Sequence, residues 1–352
     1  MANLGTPDAP QTPEVRRYLA EFLSDPRIIE VPRWLWRIIL HGIILRFRPA
    51  KSAEAYRSVW SETEGSPLLS ISRKQCVALQ NQLQQQFGSN VVVELGMRYG
   101  SPSIDDALTR LEQQQVRRLI VLPMYPQYSG TTTASVFDAV TSRLQRTRWL
   151  PELRFINQYI DEDPYIDALA ESVRASWSAK GQSDLLVTSY HGIPKRYLTN
   201  GDPYHCQCHK TTRLLREKLG LSEDQTKVVF QSRVGKEPWL QPYCDQTMKH
   251  LPKEGYKKID VICPGFSADC LETIEEIDEE NREYFESAGG EQFTYIPCLN
   301  DSPRIIEALS KLVVRHAQGW PEVEAAQADR SNEYNDRKKR EQDLRVAVPA
   351  NV

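Results

Sequence analysis

No stretch of this sequence approaches the roughly 18–20 uninterrupted apolar residues that a helix needs to cross a bilayer, so a spanning helix is not expected. A Gly-rich phosphate loop of either common type is missing, and a nucleotide-driven mechanism has no support in the residues. Basic excess is missing as well. Lys and Arg number 44 against 47 Asp and Glu, and the net charge of −3 argues against a nucleic-acid binder. The seven cysteines are scattered, without disulfide-like spacing or a secretory signal before them, which fits a reducing cytosol. Paired Cys-x2-Cys motifs are also absent. His205, Cys206, Cys208 and His209 crowd four soft ligands into five positions, but zinc and cluster sites usually need such pairs in separate places. A loop entering a helix after Gly201, Asp202 and Pro203 explains them without a metal.

What is present describes an ordinary soluble α/β chain. With 352 residues, 40% of them apolar and 26% charged, it exceeds one typical core, so two halves are expected. Runs rich in Val, Ile and Leu at 91–95, 118–123, 185–189, 228–231 and 258–263 read as parallel strands buried on both faces. Helical patterns at 12–23, 104–115, 211–219 and 245–251 lie among them. That alternation predicts a doubly wound parallel sheet. An internal echo supports two similar halves. Arg98, Tyr99, Gly100, Ser101 and Pro102 before one helix and strand correspond to Arg233, Val234, Gly235 and Pro238 before another, about 135–140 residues on. The division falls near residue 155, giving halves 1–155 and 156–318 and a polar, charged tail over 319–352. The opening residues, Asn3 to Pro7, read as a turn with no strand before it, so the first strand is expected upstream or missing.

Candidate chemistry collects past strand ends, where doubly wound sheets bind ligands. His191 follows the strand at 185–189, and imidazole near neutrality suits accepting a proton from a weakly basic ring nitrogen. Past the strand at 258–263, Pro264 and Gly265 lead to a helix with Glu272, Glu276 and Glu280 four residues apart, along one face. Read alone, that face is equally a solvated acidic surface. Neighbouring strands would bring His191 and Glu272 to one cleft. Tyr125, Tyr128, Ser129 and Thr131–Thr133 follow another strand end and offer hydroxyls to a ligand or a cap to the next helix. Arg48 and Lys51 suit an anionic ligand or the plain surface. The segment 32–48, with Trp34, Trp36 and Phe47 among Arg33, Arg37, Arg46 and Arg48, reads as an apolar lip facing a membrane surface or a greasy cleft, or as a buried helix needing partners for its cations.

Several of these motifs together resemble the ferrochelatase family, from Asn3 to about Val314. They are Tyr125-Pro126-Gln127-Tyr128-Ser129, Tyr190-His191-Gly192-Ile193-Pro194, Gly201-Asp202-Pro203-Tyr204, Phe230-Gln231-Ser232 with Pro238-Trp239, and Phe266 through Asp269 to Glu272. The resemblance implies two Rossmann-like halves around a porphyrin cleft and a lyase that inserts Fe2+, as a substrate, into protoporphyrin IX with release of two protons. It implies His191 and Glu272 as the catalytic, metal-meeting pair, and Asp269, Glu276 and Glu280 as an acidic path on a helix widened by a π-turn. Arg48, Lys51 and Ser232 match propionate-holding positions. Leu4, Tyr56, Arg98, Tyr99, Tyr125, Ser129, Trp239 and Phe266 match the porphyrin pocket, and the lip matches an entrance from the inner membrane surface. Three departures refine this. Gly130 stands where cluster-bearing relatives have cysteine, and no cysteine follows Cys298, so neither an iron–sulfur cluster nor another permanent cofactor is expected. Cys270 replaces a His found in some relatives, and Leu4 replaces a Tyr of relatives that take coproporphyrin. Two rivals are a chelatase for cobalt or nickel and a reduced tetrapyrrole, and a porphyrin or haem carrier without turnover. Oligomeric state is left open.

Overall fold

The computed structural model describes residues 1–321 and 323, together with 339–340 and 342–343. Among the described residues, eight parallel strands make two groups of four, the first as two pairs joined by a bridge and the second as one continuous sheet. The first contains β1 (Ala2–Thr6), β2 (Gly96–Gly100), β3 (Arg118–Val121) and β4 (Glu152–Phe155). β1 pairs with β2 and β3 with β4, and the Ala2 amide donates to the Leu122 carbonyl at 2.8 Å, joining the pairs in the order 2-1-3-4. The second contains β5 (Leu185–His191), β6 (Thr226–Gln231), β7 (Lys258–Ile262) and β8 (Gln292–Ile296) in the order 6-5-7-8. The two halves share one winding. In such sheets ligands settle where the winding reverses direction, between β1 and β3 and between β5 and β7.

The central strands are apolar because both faces are covered. Val187, Val229, Ile259 and Val261 are fully buried, each contributing about 1.5–3 kcal/mol through apolar burial. One core cluster runs across both halves, from Leu79, Leu122 and Met124 to Leu169, Ile262 and Leu309. The helices Pro67–Phe87, Asp163–Lys180 and Pro303–His316 supply much of it.

The structure corrects several expectations. Residues 2–6 are a strand rather than a turn leaving one. Asn3 turns its amide inward to the Ser72 hydroxyl at 3.0 Å, and Gly5 has φ +111° because a Cβ there would lie 1.7 Å from the Tyr99 carbonyl oxygen. Residues 91–95 are not a strand; the ladder begins at Gly96, opposite Ala2. The edge strands β4 and β8 escape notice because polar residues interrupt them, Glu152 and Arg154 in one and Gln292 and Thr294 in the other. His205, Cys206, Cys208 and His209 lie in the first turns of the helix Tyr204–Leu219, not in a loop before it. There His205 stacks on Phe230 while Cys208 is fully buried, and burial pushes its thiol well up. The ordered chain also passes residue 318. Trp320 is buried, donates to Glu152 at 2.7 Å and lies under the Arg154 guanidinium. The expected tail beyond falls almost wholly outside the described residues.

Candidate active site

His191 ends β5 beside the reversal point. In register its neighbour on β6 is Gln231, and the Gly192 amide donates to the Gln231 carbonyl at 2.8 Å. Gly192 is required here, since a Cβ would lie 2.8 Å from that oxygen and 3.2 Å from the Trp239 ring. The His191 Nδ1–H donates to the Gly192 carbonyl at 2.7 Å. That bond sets the tautomer and leaves the Nε2 lone pair available as a base.

The acidic helix is shaped to meet it. After a single turn, Leu271–Thr273, the backbone widens into a π-helix over Ile274–Asn281 and then returns to α at Arg282–Ser287. π-bulges of this kind cluster at functional sites. Glu276 is the acid drawn inward. Its carboxylate accepts from the Ser232 amide at 2.6 Å, from the Ser232 hydroxyl, and from the Gln231 amide group at 3.2 Å. Ser232 makes both bonds with φ +65°, a strained position for a residue bearing a Cβ. Gln231 also donates to the Glu272 carbonyl at 2.7 Å and accepts from Ser189 at 2.8 Å, so one amide ties β5, β6 and the acidic helix together. Burial raises the Glu276 carboxyl above its ordinary range, while the Ser232 bonds and the nearby charge of His191 pull the other way without overcoming it.

The remaining acids divide by environment. Glu272 is half-buried and faces the first half, where its charge helps burial raise the Tyr18 and Tyr56 hydroxyls. Glu280 lies at the exposed end and accepts from Tyr284 at 2.6 Å. A four-residue spacing on an α-helix leaves Glu275, with Asp278 and Glu279, off the face of Glu272, Glu276 and Glu280. Glu275 is instead half-buried, and burial followed by repulsion from Glu280, Glu276, Glu279 and Glu272 raises its carboxyl. A wider turn brings it among the others, a shift that an α-helical spacing does not reveal. Asp278 is paired with Arg282.

Asp269 is buried in a network of its own. It accepts from Tyr295 at 2.5 Å, Asn300 at 2.7 Å, the Cys298 amide at 3.2 Å and Thr273 at 3.2 Å. These bonds anchor the loop that starts the acidic helix. Asp269→Ala would strand four donors, with an expected loss of about 3 kcal/mol, read as a fall in denaturant midpoint.

The other expected site residues scatter between cleft and core. Arg48 and Lys51 are exposed, and neither forms an ion pair among the described residues. Trp34, Ile38 and Phe47 on the lip are 70%, 65% and 74% exposed, while Leu40 and Leu45 turn inward. The lip helix Leu45–Val59 packs against the acidic helix. Leu4 and Phe266 are half-buried and Tyr56 is buried nearby. The Tyr125 hydroxyl and Trp239 Nε1 are buried without a hydrogen-bond partner, an arrangement that invites a ligand. Arg98 and Tyr99 do not join them. Both bind Asp25, which also accepts from Ser135. Burial opposes the Asp25 charge, but bonds from Ser135, the Arg27 amide and Tyr99, with the Arg98 cation, hold its carboxyl below its ordinary range. Asp25 carried no motif in the sequence that would have exposed it. Ser129 is buried and donates to Asp202 at 2.9 Å, and Ser232 is engaged by Glu276.

The family model described as Ferrochelatase matches residues 1–317. The chain belongs to the ferrochelatase family. It is 60% identical to a ferrochelatase of Marinobacter nauticus over 320 residues, covering 91% of this chain and 86% of that one. Identity to a ferrochelatase of Alcanivorax borkumensis is 57%, over 91% of this chain and 94% of the relative. With one from Hydrogenovibrio crunogenus it is 55%, over 95% and 89%. The fold is also that of SirB from Bacillus subtilis with Fe3+, at a TM-score of 0.52, 13% identity and coverage of 72% of this chain and 93% of the other. Against this ferrochelatase family background, the widened acidic helix and His191 stand at the one place in the second sheet where its winding reverses.

Proposed function

We propose that the chain is a lyase that inserts Fe2+ into protoporphyrin IX, giving protohaem and two protons. The observation that carries this is the join between His191, Gln231, Ser232 and the inward carboxylate of Glu276 at the end of β5 and β6. Two pyrrole N–H bonds must break as the metal–nitrogen bonds form. His191 takes the two protons in turn at Nε2, passing the first on before the second leaves its nitrogen, and its positive charge is steadied by Glu276. Glu272, Glu275, Glu276 and Glu280 then form a graded route, from half-buried carboxylates near the macrocycle to an exposed one at the end, for cations inward or protons outward. Glu272 meets the metal with His191. Asp269 holds the start of this route in place and takes no part in transfer.

The porphyrin lies between the halves, which divide near residue 155. Arg48 and Lys51, cations without an ion pair, hold its propionates, and the unpartnered Tyr125 hydroxyl and Trp239 Nε1 line the ring with Leu4, Tyr56 and Phe266. Arg98, Tyr99 and Ser129 support the pocket from behind. Because its bonds go to Glu276, Ser232 is a positioning residue, not a propionate ligand. No iron–sulfur cluster is needed, since Gly130 fills the expected cysteine position and its amide donates to Asp202 at 2.7 Å. In this reading the enzyme works in the cytoplasm and its exposed lip touches the inner membrane surface. Among the described residues no helix is long and apolar enough to cross a membrane. Trp34→Ser with Phe47→Ser is expected to reduce sedimentation with anionic lipid vesicles about tenfold while soluble substrate is still turned over.

The test is anaerobic incubation with protoporphyrin IX and ferrous iron, followed optically. Free-base bands giving way to the metalloporphyrin spectrum is the expected result; bands unchanged over hours would sink the reading. Faster conversion of a reduced tetrapyrrole with cobalt would favour the chelatase rival instead.

A further inference from the structure

The helix Tyr204–Leu219 carries side chains that the metallation chemistry leaves unused. Its first turns hold His205, Cys206, Cys208 and His209, and helical spacing sorts them onto different faces. Cys208 turns into the core, whereas Cys206 stands exposed. His205 and His209, four residues apart, share a face. Their ring centres lie 4.5 Å apart, with the planes tilted by 46°. Phe230 on β6 backs both rings, stacking on His205 at 5.7 Å and meeting His209 at 6.4 Å. Phe230 is buried, His205 half-buried and His209 exposed, so the pair has one apolar wall and one open side.

Neither imidazole spends its nitrogens on the protein. Among the described residues, neither ring has a hydrogen bond or an ion pair. By contrast, the exposed His250 engages the Gln246 carbonyl through Nδ1 at 2.6 Å. Burial lowers the proton affinity of His205 and His209 below the ordinary 6.5, and His205 adds to the effect at His209. Both rings are therefore neutral at pH 7, each with a lone pair to give. The adjacent cations Lys210 and Arg213 are paired with Asp161 and Glu217, which limits their repulsion of another positive charge.

Two histidines at i and i+4 form the spacing by which one helix face grips Zn2+. Metal–nitrogen distances of about 2.0–2.1 Å place the centres of two imidazoles on one tetrahedral ion roughly 5 Å apart. The separation here is close to that. We propose that His205 and His209 form a two-imidazole site for a divalent ion of the Zn2+ or Cu2+ class, with water completing its coordination. Among the described residues no third Cys, His, Asp or Glu joins them, so the site is an open, exchangeable one rather than a closed structural one. Imidazole donors rank Cu2+ and Zn2+ above Fe2+, so the ion of the metallation reaction is not the preferred occupant. The ion would clip the first turns of a helix whose Tyr204 amide donates to Asp202, the residue that also holds Ser129 and Gly130 of the first half.

The experiment titrates the full chain, without an affinity tag, at near-neutral pH. Cu2+ is followed by electron paramagnetic resonance and Zn2+ by calorimetry. His209→Asn is the main variant, because this side chain is exposed and its loss leaves His205 stacked on Phe230. His205→Asn, His191→Asn and His250→Asn accompany it. The wild type is expected to show a copper signal with two nitrogen donors, kept in His191→Asn and His250→Asn and reduced to one donor in either helix variant. Loss of an outer partner alone costs ~10–100-fold in metal affinity, so loss of one of two ligands should weaken binding at least about tenfold. Zn2+ should also slow hydrogen exchange in peptides covering 203–213 in the wild type and not in His209→Asn. Wild-type affinity in His209→Asn would overturn the proposal. So would a binding event that His191→Asn removes and both helix variants keep, because the ion would then sit at the reaction site.

Discussion

His191→Ala abolishes metallation, to at least 100-fold below the wild-type turnover, while protoporphyrin IX still binds. The expectation follows from how the imidazole is held. Its Nδ1–H is committed to the Gly192 carbonyl, so Nε2 is the atom left to act as a base. General bases in such positions contribute typically ~10²–10⁴-fold. In the proposed reading the porphyrin contacts come from other elements, the lip helix, the loop after β3 and Trp239, so removing the imidazole is expected to leave most binding in place. Fluorescence quenching measures affinity in the absence of iron, and an anaerobic optical assay measures turnover. His191→Asn separates base from spacer, since its amide can fill the space but cannot take the proton at neutral pH. Half the wild-type rate in either variant would mean that another group removes the pyrrole proton.

Much of this arrangement was legible before any coordinates. The strands β3, β5, β6 and β7 are rich in Val, Ile and Leu and announce themselves, and the echo between Arg98–Pro102 and Arg233–Pro238 anticipated two halves of one winding. His191 and the acid series were found because they follow strand ends. What escaped has physical reasons. β1 reads as a turn because the close approach of β2 demands Gly5. Residues 91–95 have a strand's composition, yet their backbone bonds go elsewhere, Val93 to Gln80 and Cys76 and the Glu94 carbonyl to the Met1 ammonium. The inward turn of Glu275 and Glu276 escapes a four-residue spacing because that spacing holds for an α-helix, and the π-helix turns different side chains inward. Arg98 and Tyr99 look like ligand contacts in sequence, whereas the partner that claims them, Asp25, lies more than seventy residues earlier in the chain.

Glu276→Gln is expected to lower turnover about 100-fold and, at the same time, to make the fold more resistant to alkaline conditions. Gln is close in shape. Its oxygen can accept from the Ser232 amide and its amide group can donate to the Ser232 hydroxyl; only the long bond from the Gln231 amide group, which meets the same position, is lost. What disappears is the negative charge beside His191 and the first step of the acidic route. The stability effect has a definite sign. The native carboxyl titrates above its ordinary value of 4.5, chiefly because burial disfavours the ion. Its contribution to stability is therefore full below the unfolded value and is lost as pH rises through the raised native one. Gln never ionises and carries no such loss. Thermal melts should place the variant above the wild type at pH 8 and bring the two together towards pH 4. Glu275, also raised, adds a slope of the same sign in both proteins, without the share due to Glu276 repulsion in the variant. A variant melting below the wild type at every pH would mean that the Ser232 bonds depend on the charge, and that Glu276 is a structural anchor like Asp269. A variant with wild-type turnover would move the relay back to Glu272. The expected outcome, more stable and less active, marks a carboxylate kept in an unfavourable place for the reaction it serves.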